Sequence, residues 1–456
     1  RGLSSRLLRL AALLDPNGIP AELFGTAAVL DNLATGPDDV QTGLQNLRRV
    51  SLADIDQSDQ ERAGTTVRVH DLVQRAGRET AQLEQLGVDA RACAAALLEI
   101  WPEQDYLPAL ALRTASLRSN ATALAQHAAS SLWQSGAHPL LFRTGRSLAS
   151  GGLRLRAVDY WANLYSQAVA AMGERHPDTL TSRNNLASAY RDAGRLAEAI
   201  PLYERNLADR VEMLGERHPD TLVSRNNLAF AYRAAGRLAE AIPLYERNLA
   251  DRVEVLGEWH PDTLVSRNNL AFAYRAAGRL AEAISLYERN LADRVEVLGE
   301  RHPSTLTSRS NLGYAYVIAG RLVEAIPLLE RTLASRVEVL GEWHPSTLTS
   351  RSNLAYAYVT AGRLAEAIPL YEQALAGRVD ALGEWHPSTL SSRNDLADAY
   401  LTAGRLAEAI RLLEQTVADR IEVLGERHPD TLTSQKNLAD AYRAAGRTDE
   451  ADALES

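Results

Sequence analysis

The chain has 456 residues, 46% of them hydrophobic and 23% charged, with a formal net charge of −9. That length allows more than one folded region, and the negative balance excludes a global electrostatic pull toward nucleic acid. The single cysteine, Cys93, excludes an internal disulfide framework and suits a reducing cytoplasm, and no apolar run approaches the ~20 residues of a membrane span.

The chain opens on Arg1 inside a helical pattern, and its only methionines are Met172 and Met213. A piece of a longer cytoplasmic protein is expected. Leu7, Leu8, Leu10, Leu13 and Leu14 predict a helix that ends at the turn Asp15-Pro16-Asn17-Gly18. A second helix is expected from Pro20, and a third carries Val40, Leu44, Leu47 and Val50. Ser51 to Asp56 and Thr65 to His70 read as two strands around a polar loop. Three helices and a hairpin make a winged-helix layout over 1–85. Nine arginines face eleven acids in residues 1–80, the wrong sign for a phosphate backbone.

The run Val67-Arg68-Val69-His70-Asp71-Leu72-Val73-Gln74 resembles the end of the winged-helix segment in signal-transducing NTPases of the NB-ARC (STAND) class. Their motif is apolar-His-Asp followed by Leu-Val, and Val69 stands where Met is usual. The resemblance implies that His70 touches the phosphates of bound ADP in the resting state, with Asp71 supporting the turn. It also implies ADP or ATP in the parent protein only. A phosphate loop needs Gly-rich sequence ending in Lys-Ser/Thr, and the only lysine is Lys436, outside any such loop. The NTPase domain is therefore expected upstream of Arg1, and no cofactor is expected in this chain.

Residues 86–135 are rich in Ala and Leu and read as helices around Ala92–Ile100, Ala109–Leu117 and Ala121–Trp133, punctuated by Pro102 and Pro108. Cys93 reads as a small buried side chain there. They form a helical linker between the two main parts.

From 136 to 456 the chain repeats. His176, His218, His260, His302, His344, His386 and His428 stand six steps of 42 apart, each followed by Pro, then Asp or Ser, then Thr-Leu. Units this alike cannot each bury a core and must stack into a solenoid. Within one unit, Pro177 opens a first helix that Gly194 ends, and Leu196 opens a second that Gly215 ends. Leu196, Ala199, Ile200, Tyr203, Leu207, Val211 and Leu214 are expected on its buried side. One histidine per unit, with no second ligand type beside it, argues against metal.

Small residues at Ala187 and Ala199 with Tyr190 and Tyr203 resemble the tetratricopeptide repeat. The 42-residue unit and the run Asn184 to Ala187 are most similar to the long repeats of kinesin light chains. The proline that closes the usual 34-residue unit falls on Val211, so the second helix should run on. A degenerate unit precedes, with Gly152, Ala157 and Trp161 in place of Gly194, Ala199 and Tyr203. The resemblance implies a mainly α protein: a right-handed superhelical α-solenoid of tetratricopeptide-like helix pairs after the small winged-helix domain. First helices should line the concave face.

Two rows on that face are candidate partner contacts. One is a ladder of amides, Asn185, Asn227, Asn269, Asn311 and Asn353, continued by Asn437 and broken at Asp395. Each reads either as a grip on peptide backbone or as a polar bridge between adjacent helices. The other runs Ser188, Phe230, Phe272, Tyr314, Tyr356, Asp398, Asp440, with Arg191, Arg233, Arg275, Val317, Val359, Leu401 and Arg443 three positions on. Together these suggest an Arg-aromatic floor with an acidic far end. No nucleophile-base set is visible, so enzymatic activity is not expected. Two readings remain: the sensor region of a nucleotide-switched signalling protein, whose groove binds a polypeptide and whose winged helix relays the event, or a free-standing adaptor like kinesin light chains.

Overall fold

The computed structural model describes residues 2–56, 64–134 and 136–455. Contacts divide the chain into two units, Arg1–Ser182 and Arg183–Ser456.

In the first unit the leucine run forms the helix Leu3–Ala11 and buries Leu7 and Leu10 completely. The turn after it is held by the Asn17 amide donating to Asp15 Oδ1 at 2.9 Å. Pro20 does not start a helix. Ile19–Pro20 forms a short strand β1, and a 3₁₀ helix (Ala21–Gly25) and the helix Ala27–Leu33 follow. The strands β2 (Asp54–Asp56) and β3 (Thr66–Arg68) complete an antiparallel sheet of order β1-β3-β2. Pro20 thus sits on an edge strand, where a missing N–H is tolerated. The third helix, Pro37–Arg49, buries Val40, Leu44 and Leu47, while Val50 lies past its end and is exposed. Residues 57–63 of the loop between β2 and β3 lie outside the described residues.

His70 caps the next helix, Asp71–Thr80, and Leu83–Glu99 buries Cys93 against Leu10, so desolvation pushes the thiol up. The helices Pro139–Ser150 and Arg154–Met172 form the degenerate unit. Trp161 packs against Gly145, where an added Cβ would come within 2.3 Å of the indole.

The second unit is built of helix pairs. In the repeat from His218 the first helix is Pro219–Ala234 and the second is Leu238–Leu256. The histidine itself is the N-cap: His218 Nδ1 accepts from the Asp220 amide at 3.2 Å, satisfying one of the first turn's orphan donors. The same bond recurs at His260, His302, His344, His386 and His428. Gly236 and Gly257 sit at φ +73° and +91°, where a side chain would be strained, and there the chain reverses. The second helix does run on past the position of the usual closing proline, to Leu256.

Each core cluster spans two repeats. Ala229, Ala241, Ile242 and Tyr245 pack with Leu270 and Ala273 of the next first helix. Burying one such large side chain contributes about 1.5–3 kcal/mol. The far half of the second helix is less apolar than its sequence pattern. Leu214 is 39% exposed, whereas Asn206 and Arg210 are buried in its stead. Asn206 Nδ2 donates to Ser224 Oγ at 3.2 Å, and Arg210 Nη1 donates to the Asp220 carbonyl at 2.8 Å. Polar bonds therefore tie one repeat to the next where apolar packing stops. Within a repeat, a buried arginine of the first helix pairs with an aspartate of the second: Arg183 with Asp209 at 2.5 Å, and likewise Arg225 with Asp251, Arg267 with Asp293, and Arg393 with Asp419.

The array also meets itself. A Cβ added at Gly194 would lie 2.7 Å from Pro429 Cδ and 2.8 Å from His428 Cδ2, while the equivalent Gly236, Gly278, Gly320, Gly362, Gly404 and Gly446 have nothing within 4 Å. His428 is only 8% exposed, unlike the other histidines of the row. The hairpin of the first full repeat thus rests on the start of the last one's first helix. Among the described residues no helix is long and apolar enough to cross a membrane.

Candidate partner-binding surface

Successive first helices touch one another directly, which places them along the shorter, inner side of the array. Asn227 Nδ2 donates to Asn184 Oδ1 at 2.9 Å, Asn269 Nδ2 to Asn226 Oδ1 at 2.9 Å, and Asn311 Nδ2 to Asn268 Oδ1 at 2.7 Å. Asn353 Nδ2 donates to Ser310 Oγ at 3.1 Å. Each of these amides spends one N–H as a bridge between neighbouring helices. Its oxygen and second N–H stay on a half-buried side chain and can still meet a ligand. Asn185 is likewise half-buried.

The second row forms a continuous stack. The Arg191 guanidinium lies 4.8 Å from the Phe230 ring centre, and Arg233 lies between Phe230 (4.4 Å) and Phe272 (4.1 Å). Arg275 lies between Phe272 (4.3 Å) and Tyr314 (4.8 Å), and Tyr314 meets Tyr356 ring to ring at 5.5 Å. Seven residues spaced along the sequence at intervals of 39, 3 and finally 42 become one half-buried ribbon. Each cation–π contact contributes about 0.5–1 kcal/mol at such exposure. The ribbon therefore holds its own shape before any ligand arrives. A cleft of about 190 Å³ opens between Phe272, Arg275, Tyr287, Asn311, Tyr314 and Asn353.

The far end is acidic. Asp398 and Asp440 are exposed, and Asp440 is met by Arg443 at 3.4 Å. Asp395 replaces asparagine in the amide ladder. Solvent reaches it, yet the wall crowds it enough that desolvation pushes its carboxyl up to about 6, against the pull of Arg378 and Arg420. Sequence reasoning missed a further row, the buried arginines Arg210, Arg252, Arg294 and Arg336. Burial lowers each of them, Arg336 to about 10, and their Nε atoms have no hydrogen-bond partner among the described residues. Their signal was present as Arg at a fixed place in every second helix, but a solvated helix face gives the same pattern.

In the first unit, His70 and Asp71 border a cleft of about 720 Å³ with Asn17, Arg48, Asp54 and Arg68. His70 Nδ1 accepts from the Leu72 amide at 3.2 Å, the same capping bond as in the repeats. Only Nε2 is left for a ligand. Asp71 is exposed and lies 4.0 Å from Arg78.

Comparison with known proteins adds the following. The tetratricopeptide repeat model matches residues 145–210, 178–252, 220–289, 262–336, 310–380, 346–421 and 388–455. No curated protein matches the chain closely enough to be paired with it. Among solved structures, a Podosopora anserina protein assigned as a kinesin light chain with nearly identical TPR-like repeats is 38% identical. The match covers 45% of this chain and 96% of that one, with a TM-score of 0.40. A signal transduction ATPase with numerous domains (STAND) carrying a tetratricopeptide repeat sensor, from Pyrococcus horikoshii, is 13% identical. It matches 100% of this chain and 62% of its own, with a TM-score of 0.57.

Proposed function

Because the chain belongs to the tetratricopeptide repeat family, whose repeats bind polypeptide partners, we propose that its first-helix wall receives an extended polypeptide as the sensor region of a nucleotide-switched signalling protein. The observation that carries the first part is the Arg-aromatic ribbon from Arg191 to Tyr356, ordered by its own contacts and open to solvent. Preordered aromatic and guanidinium groups give contact area at low entropic cost, which is what recognition hot spots use.

The switch reading rests on the first unit. Three helices with a sheet of order β1-β3-β2 support a winged-helix module. His70 caps a helix beside a cleft that also holds Arg48 and Arg68. Asp54 and Asp71 line the same cleft and balance those arginines, and it is where the NB-ARC resemblance puts ADP. The Pyrococcus horikoshii protein, a STAND protein with a tetratricopeptide repeat sensor, is alike in fold over this chain's length.

Two experiments test the proposal. A random peptide library panned on the array should enrich sequences whose binding is lost when Phe230, Phe272, Tyr314 and Tyr356 are all changed to Ala. Equal binding by that variant overturns the groove reading. In the full-length protein, His70→Ala should weaken ADP retention and raise basal activity. A full-length protein that retains no nucleotide would instead make the chain an adaptor.

A further inference from the structure

On the inner wall the chain sets its own cations between its own rings. Arg233 sits between Phe230 and Phe272, and Arg275 sits between Phe272 and Tyr314. The arginines then stop. The next two equivalent positions are Val317 and Val359. At the first, the neighbouring rings meet directly, Tyr314 against Tyr356 at 5.5 Å. At the second no ring follows, because Asp398 stands where the next aromatic residue would be.

The surroundings of Val359 show what is missing there. In the earlier repeats an arginine charge lies close to the second-helix tyrosine: Arg233 beside Tyr245 and Arg275 beside Tyr287. The equivalent Tyr371 is only 4% exposed. It has Val359 in place of that arginine, and its hydroxyl has no hydrogen-bond partner among the described residues. Its charged neighbours are Asp395 and Asp398, which act with desolvation to push the phenol up. Among the described residues neither carboxylate forms an ion pair within 4 Å, although Arg378 and Arg420 act on Asp395 from further off; Arg378 also donates to Ser392 and Ser352, and Arg420 to the Asp430 carbonyl. Val359 therefore marks a slot beside the Tyr356 ring and the buried Tyr371, whose hydroxyl is unpartnered, and two carboxylates outside any ion pair among the described residues, at the place where the rest of the ribbon carries a guanidinium.

We propose that this slot, bounded by Tyr356, Tyr371, Asp395 and Asp398, binds a basic side chain of the polypeptide in the groove, which supplies the cation that the chain itself omits. A guanidinium there stacks on Tyr356 as Arg275 stacks on Phe272, donates to the Tyr371 hydroxyl and neutralises the acids. The inference rests on the reading that the inner wall receives a polypeptide, and it fixes where along that wall a positive residue of the partner lies.

The test uses a fluorescein-labelled peptide carrying three arginines among glycines, and the same peptide with citrulline in their place, in about 150 mM salt to screen the chain's net charge. The arginine peptide should bind and the citrulline peptide should not. Val359→Arg fills the slot from within and should weaken the arginine peptide by about tenfold or more. Val323→Arg, at a site 89% exposed, adds the same charge elsewhere and should leave binding unchanged. The double variant Asp395→Asn, Asp398→Asn should also lose binding while keeping its helical content. Equal affinity for Val359→Arg and wild type overturns the proposal. If the arginine peptide fails on wild type while panned peptides still bind through the aromatic ribbon, the slot is refuted and the groove reading stands. If no panned peptide depends on the ribbon, both fall.

Discussion

Replacing His260 by Ala isolates the commonest device in the array. The imidazole accepts from the Asp262 amide at 3.2 Å, a little long for an N–H donor. Loss of an N-cap costs about 0.5–2 kcal/mol, and the length puts this one in the lower half, about 0.5–1 kcal/mol. Nearest-neighbour stacking keeps most of that cost local to the first helix Pro261–Ala276. Hydrogen exchange is the suitable assay, because it reads local opening rather than a single global transition. The Asp262 amide should lose about two- to fivefold in protection, with tenfold corresponding to about 1.4 kcal/mol. His260→Asp should restore it, since a carboxylate both accepts the bond and suits the helix N-terminus. His428→Ala should cost at least about 1 kcal/mol more, because this imidazole also packs against Gly194. If His260→Asp exchanges as fast as His260→Ala, the ring does not act through its cap and the reasoning fails.

Two further outcomes are expected. Asp251→Ala leaves the buried Arg225 with the Glu216 carbonyl as its close acceptor, so the array should lose about 3 kcal/mol in urea unfolding. Arg225→Leu combined with Asp251→Ala should recover part of that loss, and a fully additive double variant would contradict the pairing. Asp395 binds its proton more tightly folded, near 6, than at its ordinary 3.8. Its contribution to stability therefore falls as the pH rises from about 4 to about 6 and stays low above that. Asp395→Asn should raise the Tm near pH 7 and leave it unchanged near pH 4, and thermal melts at both values check the sign.

The helix pairs were legible because near-identical units repeat every rule in step: Pro at each first-helix start, Gly at each reversal, Ala and Tyr at fixed offsets. The ribbon was legible for a related reason. With the surrounding residues held constant, a position that changes from Phe to Tyr to Asp stands out. What bonds to what was not legible. The amides from Asn227 to Asn353 allow both a ligand grip and a bridge in the sequence, and in the structure one N–H of each is spent on the neighbouring helix. Histidine is an unusual N-cap, so its ring nitrogen was not expected in that role. Leu214 and Arg210 exchanged places with expectation because hydrophobic periodicity cannot see that a guanidinium holds the next repeat's backbone. The strand β1 has two residues, one of them proline, too short for any period to reveal.

The meeting of Gly194 with His428 and Pro429 makes repeat number a geometric quantity. Units this similar invite unequal recombination, which adds or deletes whole copies and leaves each surviving helix pair intact. One copy more or fewer would rotate the final histidine away from the hairpin it rests on. A seam would then open although no residue had mutated, and a tally of copies becomes a constraint on which lengths of this array can close.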